Sequence, residues 1–136
     1  MKAVVDTNVV AYYVLGTPQF ARESGRFLGV ADDLFAPALW EAEFANVLWM
    51  AVRAGVLPVK ESAAKLSLAI RLGVSAISIR TLWGAALLRS VDSGIAVYDT
   101  LFVELARRER IPLATFDRKL LRAFPDLACR PGDIAA

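Results

Sequence analysis

The chain has 136 residues, 57% of them hydrophobic, and a net charge of +2, which fits a single domain over residues 1–136 with a substantial core. One cysteine excludes an internal disulfide, and the absence of histidine excludes Ser-His-Asp and Cys-His catalysis. For a hydrolase of this composition, carboxylates and a hard metal ion are the obvious remaining catalytic groups. No run approaches the roughly 18 apolar residues of a membrane span, and Asp6 comes too early for a signal-peptide core. We therefore expect a cytoplasmic protein that does not enter a membrane.

Strands and helices are predicted to alternate along the whole chain. The first part of the chain should form a strand over 2–6, a helix over 7–16, a helix over 17–28 with Pro18 in its first turn and Gly29 after it, and a strand over 34–36. Next we expect a helix from Pro37 to about Ala54, a helix from Pro58 to Gly73 and a strand over 74–79. The last part should form helices over about 80–91 and 98–110, a strand over 111–116, a helix over 117–124 and an edge strand in the tail. This alternation is typical of α/β proteins. We expect a three-layer α/β/α sandwich with a central, mostly parallel sheet of four to five strands and about seven helices.

Three aspartates occupy positions where a site would form. Asp6 ends the first strand, Asp117 ends the strand "IPLATF", and Asp99 opens the helix that precedes that strand. Taken singly, each fits an ordinary helix N-cap or first-turn acid. In a parallel sheet, however, the carboxyl ends of the strands share one edge, so the three carboxylates should converge there. Mg²⁺ or Mn²⁺ would offset the repulsion between them, because hard cations bind oxygen ligands.

Four segments together resemble the PIN-domain nucleases, and among them the VapC-type toxins of toxin–antitoxin pairs. They are "VVDTNVV" (4–10), "EFANVL" (43–48), "YDTLFVELA" (98–106) and "PLATFD" (112–117). Each segment alone is a weak signal, but all four in this order and spacing cover nearly the whole chain. The resemblance implies a PIN-like α/β/α sandwich, divalent-metal-dependent endoribonuclease activity, and neutralisation by a small cognate antitoxin.

The resemblance also assigns residues. The four acidic positions of the family match Asp6, Glu43, Asp99 and Asp117, and its frequent polar neighbours match Thr7, Asn8 and Thr115. We expect the three aspartates to hold Mg²⁺ or Mn²⁺ directly or through water, and Glu43 to be a ligand or to orient a bound water. Hydrolysis by that water would leave a 5′-phosphate and a 3′-hydroxyl.

Polar and basic neighbours of the acids are candidates for supporting roles. The hydroxyl of Thr115 would bond a ligand carboxylate or a bound water, and Asn8 would orient Asp6; otherwise they are an ordinary strand residue and a first-turn helix residue. Arg118, Lys119 and Arg122 follow the last acid directly. Beside a nuclease site they would contact RNA phosphates, and without the resemblance they would be a solvated basic face.

The segment "PALWEAEFANVL" contains two glutamates, Glu41 and Glu43, which cannot share a helix face because two residues are about 200° of rotation. Helical periodicity does not decide which of them faces the site, whereas the resemblance selects Glu43. The long helix that carries them is apolar almost all round, and aromatic residues crowd the first half of the chain. Core packing explains most of this, and part of it would serve as a homodimer contact or a groove for an antitoxin helix.

Two alternatives remain open from the sequence. One is a PIN-like module that binds RNA or protein without cutting. The other is a phosphoacceptor receiver domain, which would need an adjacent acidic pair after the first strand and an acceptor aspartate at the end of a central strand. Asp6 has Val5 and Thr7 as neighbours, and "VSAISI" ends without an aspartate. The receiver hypothesis is therefore much the weaker of the two.

Overall fold

A computed structural model describes residues 1–136 and contains one five-stranded sheet and eight α-helices. The strands are β1 (Lys2–Val5), β2 (Asp33–Pro37), β3 (Ser75–Ile77), β4 (Leu113–Ala114) and β5 (Ala128–Cys129). The helices are α1 (Thr7–Leu15), α2 (Ala21–Val30), α3 (Leu39–Arg53), α4 (Val59–Arg71), α5 (Trp83–Ser93), α6 (Val97–Glu109), α7 (Arg118–Ala123) and α8 (Pro131–Ala135), with a 3₁₀ turn at Ile79–Thr81.

The sheet has the order β3-β2-β1-β4-β5, and every neighbouring pair is parallel. The chain first builds outward from β1 through β2 to β3, and then returns to place β4 on the other side of β1. The strand order therefore reverses between β1 and β4. In open α/β sheets, ligands bind in the crevice outside the carboxyl ends of the strands at such a reversal.

The central strands are apolar because helices cover them. Val4 and Val5 of β1 and Leu113 of β4 are buried, as expected for strands covered on both faces. Helix α6 packs on β1 and β2 with α5 beside it, and α1 contacts α2, α3 and α4 to form the other helical layer. The predicted three-layer α/β/α sandwich is confirmed. The sheet is wholly rather than mostly parallel, and no helix is both long and apolar enough to cross a membrane.

Proline and glycine positions account for three wrong boundaries. Pro18 lies in a turn before α2 rather than inside that helix, since the N–H of Phe20 bonds the carbonyl of Thr17. Gly29 lies within α2, which continues to Val30, because one glycine costs a helix only about 1 kcal/mol. Pro37 ends β2 instead of opening α3, and its fixed φ and missing N–H suit the end of a strand.

The remaining differences concern short elements. Arg80 belongs to the 3₁₀ turn, so α5 begins three residues later, at Trp83. Strands β3 and β4 have three and two residues instead of the predicted six each. The edge strand predicted in the tail is present as β5, but the eighth helix, α8, was not predicted. Five residues are too few for helical periodicity to be visible in a sequence.

Candidate active site

Asp6 follows β1 directly and lies at the strand reversal. Its backbone takes the N-cap position of α1, but its side chain makes no capping hydrogen bond. Instead, its Oδ2 accepts a hydrogen bond from Thr115 Oγ1 at 2.7 Å and a longer one from Asn8 Nδ2 at 3.4 Å. The carboxylate is 8% exposed. Asp6 is therefore directed across the end of the sheet toward β4 rather than along its own helix.

Asp117 lies on the β4 side of the point where the strand order reverses, just before α7. Its Oδ1 accepts from the backbone N–H groups of Lys119 at 2.8 Å and Leu120 at 3.4 Å, so it does cap its helix. Its own N–H donates to Thr115 Oγ1 at 2.9 Å. The single hydroxyl of Thr115 therefore donates to the carboxylate of Asp6 and accepts from the backbone of Asp117.

Helix α3 contributes Glu43. Thr7 Oγ1, at the start of α1, donates to Glu43 Oε1 at 2.7 Å. Trp40 and Phe44 are buried against the core, so Glu43 stands at the border of the buried face and is partly buried. Glu41 is exposed and does not face this region. Of the two glutamates, only Glu43 lies at the strand reversal.

Helix α6 contributes Asp99 from its first turn. Together the four carboxylates line one cleft of about 340 Å³ at the carboxyl ends of β1 and β4. The cleft is formed by Asp6, Thr7, Asn8, Ala11, Tyr12, Leu15, Thr17, Glu43, Val47, Asp99 and Asp117. Thr115 lies beneath it and reaches it through Asp6 and Asp117. All four acids that the sequence singled out are therefore brought together, although they come from four separate parts of the chain.

Five lining residues were not predicted. Ala11, Tyr12 and Leu15 extend the cleft along α1, Thr17 closes its end, and Val47 adds the next turn of α3 after Glu43. Helical spacing carries the signal for most of them, since a residue four positions after a site residue lies on the same face. Ala11 follows Thr7 in this way, and Val47 follows Glu43. Apolar and aromatic side chains at these spacings nonetheless suggest core packing first.

Burial and mutual repulsion make the carboxylates of the cleft hard to ionise. Burial raises the pKa of Asp6 to about 7, although the hydrogen bond from Thr115 lowers it; the charges of Asp99 and Glu43 raise it further. The pKa of Glu43 is raised by burial first and then by the charge of Asp99. The pKa of Asp99 is raised by burial and by the charge of Asp117. A cation in the cleft would relieve both effects.

The chemistry of these donors fits Mg²⁺ or Mn²⁺. Every candidate donor is an oxygen, as hard cations prefer. As the side chains lie, no three of the acidic groups are close enough together to hold one ion directly. Because Mg²⁺ usually keeps several of its waters, the cleft fits an ion bound by one or two carboxylates and reached by the others through water.

The basic residues after Asp117 lie on α7. Arg118, Lys119 and Arg122 are all exposed. The charge of Lys119 opposes the rise in the pKa of Asp99. None of the three lines the cleft itself. All three are on the helix that begins directly after Asp117.

The fold and the site together define a class of protein. It is a parallel α/β/α sandwich with an acidic cleft at the point where the strand order reverses. The model of the PIN domain matches residues 3–125, and the chain belongs to the PIN-domain family. Ribonuclease VapC3 of Pyrobaculum aerophilum is a relative with 31% identity, and the match covers 93% of this chain and 98% of that protein. The family assignment that the sequence motifs suggested is therefore confirmed.

A solved structure supports the fold independently. It is the crystal structure of VapBC2 from Rickettsia felis bound to a DNA fragment from their promoter. One of its chains matches with a TM-score of 0.67 and 17% identity, over 96% of this chain and 98% of that chain. At this identity the likeness concerns the fold alone.

Proposed function

We propose that the chain is a divalent-metal-dependent endoribonuclease and the toxin of a type II toxin–antitoxin pair. The observation that carries the proposal is the convergence of Asp6, Glu43, Asp99 and Asp117 on one cleft. Membership of the PIN-domain family and similarity to a protein named a ribonuclease support it. Helix capping alone gives no reason for four acids from separate segments to meet.

The carboxylates would hold Mg²⁺ or Mn²⁺, and the neighbouring polar groups would hold the carboxylates. A bound divalent ion supplies a lowered pKa for coordinated water and compensates negative charge on the attacked phosphate. Thr115 orients Asp6 and favours its ionised form through the 2.7 Å hydrogen bond that it donates, and Thr7 does the same for Glu43. Asn8 adds a longer bond to Asp6. These three residues are positioning residues in the proposal.

Basic residues would bring the RNA to the cleft. An acidic depression repels phosphates, so a cationic rim is needed to hold the backbone on either side of the reacting group. Arg118, Lys119 and Arg122 supply such a rim on α7, and their exposure leaves them free to contact phosphates. Replacing one of them should weaken binding of all RNA sequences to a similar degree and lessen its salt dependence.

An apolar groove between α3 and α4 is the proposed docking place of the antitoxin. Its volume is about 490 Å³, and seven of its eight lining residues are hydrophobic. Trp49 and Leu66 within it are 53% and 42% exposed. A groove between two helices fits the apolar face of a third, amphipathic helix. The exposed Trp49 would then be the anchor that the partner covers.

A separate apolar face on α5 is the proposed homodimer contact. Trp83, Leu87 and Val91 follow one another at intervals of four residues and are 54%, 55% and 79% exposed, and Leu88 beside them is 72% exposed. Residues at this spacing form one stripe along a helix. Such a convex stripe suits pairing with its own copy across a twofold axis.

Cleavage assays test the enzymatic proposal. Purified protein is incubated with structured and unstructured RNA in Mn²⁺, in Mg²⁺ and in chelator, beside the Asp99→Asn variant. We expect metal-dependent cleavage with 5′-phosphate products by the wild type and none by the variant. RNA binding without cleavage, in protein free of any co-purified antitoxin, would instead support a binding module.

A further inference from the structure

Three aromatic rings form a cluster beside the cleft. Tyr12 of α1 stacks on Phe20 with centroids 4.5 Å apart and planes 23° apart. Phe116, the residue before Asp117, meets Tyr12 edge-on at 5.5 Å and Phe20 at 4.7 Å. All three are only partly buried. The cluster therefore joins the segment before α2 to both sides of the strand reversal and leaves aromatic surface open to solvent.

Only one of the three rings lines the cleft. Tyr12 is among the lining residues, whereas Phe20 and Phe116 are not. The guanidinium of Arg130 lies 5.0 Å from the centre of the Phe116 ring and is itself held by Glu23 at 2.6 and 3.2 Å. Arg130 thus covers Phe116 from outside. The two phenylalanines support the tyrosine ring, which is left as the aromatic surface available inside the cleft.

Tyr12 lies one helical turn beyond Asn8, the residue of α1 that contacts Asp6. Tyr12 follows Asn8 by four residues on α1, which is about 6 Å along the helix axis. Asn8 in turn bonds Asp6 through Nδ2, and the N–H of Phe116 donates to its Oδ1 at 3.5 Å. A phosphate at the carboxylates would therefore place an adjoining sugar and base beside the tyrosine ring.

We propose that the Tyr12 ring, supported by Phe20 and Phe116, is a stacking subsite for one unpaired RNA base next to the scissile phosphodiester. The proposal rests on the proposed ribonuclease function and adds to it the residue that would contact a base. Aromatic rings that bind single-stranded RNA stack on bases that have left the helical stack, and every base offers such a face. Paired bases in a duplex are not available to the ring. The subsite thus selects single strands, loops and ends without selecting a particular base.

Stacking is measured with RNA that reports on the environment of a base. The probe is a single-stranded 12-nucleotide RNA of mixed sequence with 2-aminopurine at one position, compared with the same strand in a duplex. Ca²⁺ offsets the charge of the carboxylates, and the RNA is verified to be intact after each measurement. The variants are Tyr12→Trp, which keeps a stacking ring, and Tyr12→Leu, which keeps apolar bulk. Tyr13→Leu is the matched control, because Tyr13 lies on the same helix, packs toward Gly25 of α2 and does not line the cleft.

The wild type should bind the single strand more tightly than the duplex and quench the 2-aminopurine. Tyr12→Leu should lose roughly tenfold or more in affinity for the single strand, together with the quenching. Tyr12→Trp should keep both, and Tyr13→Leu should behave as the wild type. The thermal midpoint of each variant is recorded, so that a loss of folding is not mistaken for a loss of stacking.

The outcomes separate this proposal from the nuclease proposal. Unchanged single-strand affinity in folded Tyr12→Leu, or equal wild-type affinity for single strand and duplex, would overturn the stacking subsite even if the wild type cuts RNA in Mn²⁺. Loss of affinity and quenching in Tyr12→Leu, without cleavage by the wild type in Mn²⁺, would support the subsite and overturn the nuclease.

Discussion

Asp6 is the most buried of the four cleft carboxylates, and its surroundings make the stability of the metal-free protein depend on pH. Its folded pKa of about 7 lies well above its ordinary value of 3.8, and burial is the main cause. The folded protein therefore binds a proton that the unfolded chain has already lost between these two values. By linkage, the free energy of unfolding must fall as the pH rises through that interval. In the absence of a cation, ionisation of Asp6 therefore lowers the free energy of unfolding.

We expect the metal-free protein to be less stable at pH 8 than at pH 5, by about 2–4 kcal/mol in the free energy of unfolding. Asp6 is almost completely protonated at the lower pH and mostly ionised at the higher one. The raised pKa values of Glu43 and Asp99 act in the same direction. Denaturant titrations in chelator at both pH values measure the difference. Asp6→Asn should remove most of it by stabilising the protein at pH 8. Equal or greater wild-type stability at pH 8 would contradict the expectation.

The two glutamates of α3 provide a matched pair of substitutions. Glu43 accepts from Thr7 inside the cleft, whereas Glu41 is exposed two residues earlier on the same helix. We expect Glu43→Gln to lower the rate of metal-dependent RNA cleavage about 100-fold or more, as the loss of a group that holds the reacting centre does. Glu41→Gln should stay within about twofold, as surface changes do. If Glu41→Gln instead of Glu43→Gln lowered the rate of cleavage, the assignment of Glu43 to the cleft would be wrong.

At the scale of elements, Thr115 connects the end of β1 with the start of α7. Its hydroxyl donates to Asp6 and accepts from the N–H of Asp117, and the side chain is fully buried. We expect Thr115→Val to lower the free energy of unfolding by about 1–3 kcal/mol, because a buried carboxylate and a backbone N–H both lose their partner. Denaturant titration at pH 8 measures this loss. Thr115→Ser keeps the hydroxyl and should recover most of the hydrogen-bonding contribution; equal losses in both variants would show that the methyl group, not the hydroxyl, is what matters.

The order of elements was predictable because long helices carry a periodic apolar pattern and short buried strands are apolar throughout. Local signals failed where tertiary structure decides. Pro37 is compatible with a helix start and with a strand end, and only its pairing with Ile77 of β3 makes it part of β2. The turn at Thr17–Phe20 places Phe20 on Tyr12, a contact between rings that no local pattern contains.

The site was predictable to a similar extent. Asp6 and Asp117 follow from the rule that strand ends share one edge of a parallel sheet, and Asp99 follows because its helix must start near that edge to lead back into β4. Glu43 does not, because α3 could present either glutamate, and only the family motif selected it. Tyr12 is one of the aromatic residues in the first half of the chain, for which core packing or an interface is the first expectation from sequence. Its place in the cleft depends on which face of α1 the reversal at β1 and β4 leaves uncovered.

At the scale of the whole molecule, most of the large exposed hydrophobic residues lie in two places. The α3–α4 groove and the α5 stripe belong to different helical layers, since α4 contacts α1 and α3, whereas α5 contacts α6. One partner in the groove and a second copy on the stripe would therefore not compete for the same residues. This separation would allow a dimeric toxin to bind its antitoxin without dissociating.

The carboxylates of the cleft come from several elements of the fold. An ion bound there should therefore stabilise the folded protein, and this stabilisation can be measured without RNA. The four carboxylates come from the ends of β1 and β4 and from α3 and α6, so an ion held there would link both helical layers to the sheet. An ion that binds only the folded state stabilises it by about 2.7 kcal/mol at a concentration of 100 times its dissociation constant.

We therefore expect Mn²⁺ to raise the thermal midpoint of the protein in a concentration-dependent manner. Asp99→Asn, compared with its own metal-free midpoint, should show a much smaller rise, whereas the exposed control Glu61→Gln on α4 should respond as the wild type. An equal rise in wild type and Asp99→Asn would place the ion elsewhere on the protein, and no rise in the wild type would contradict metal binding in the cleft.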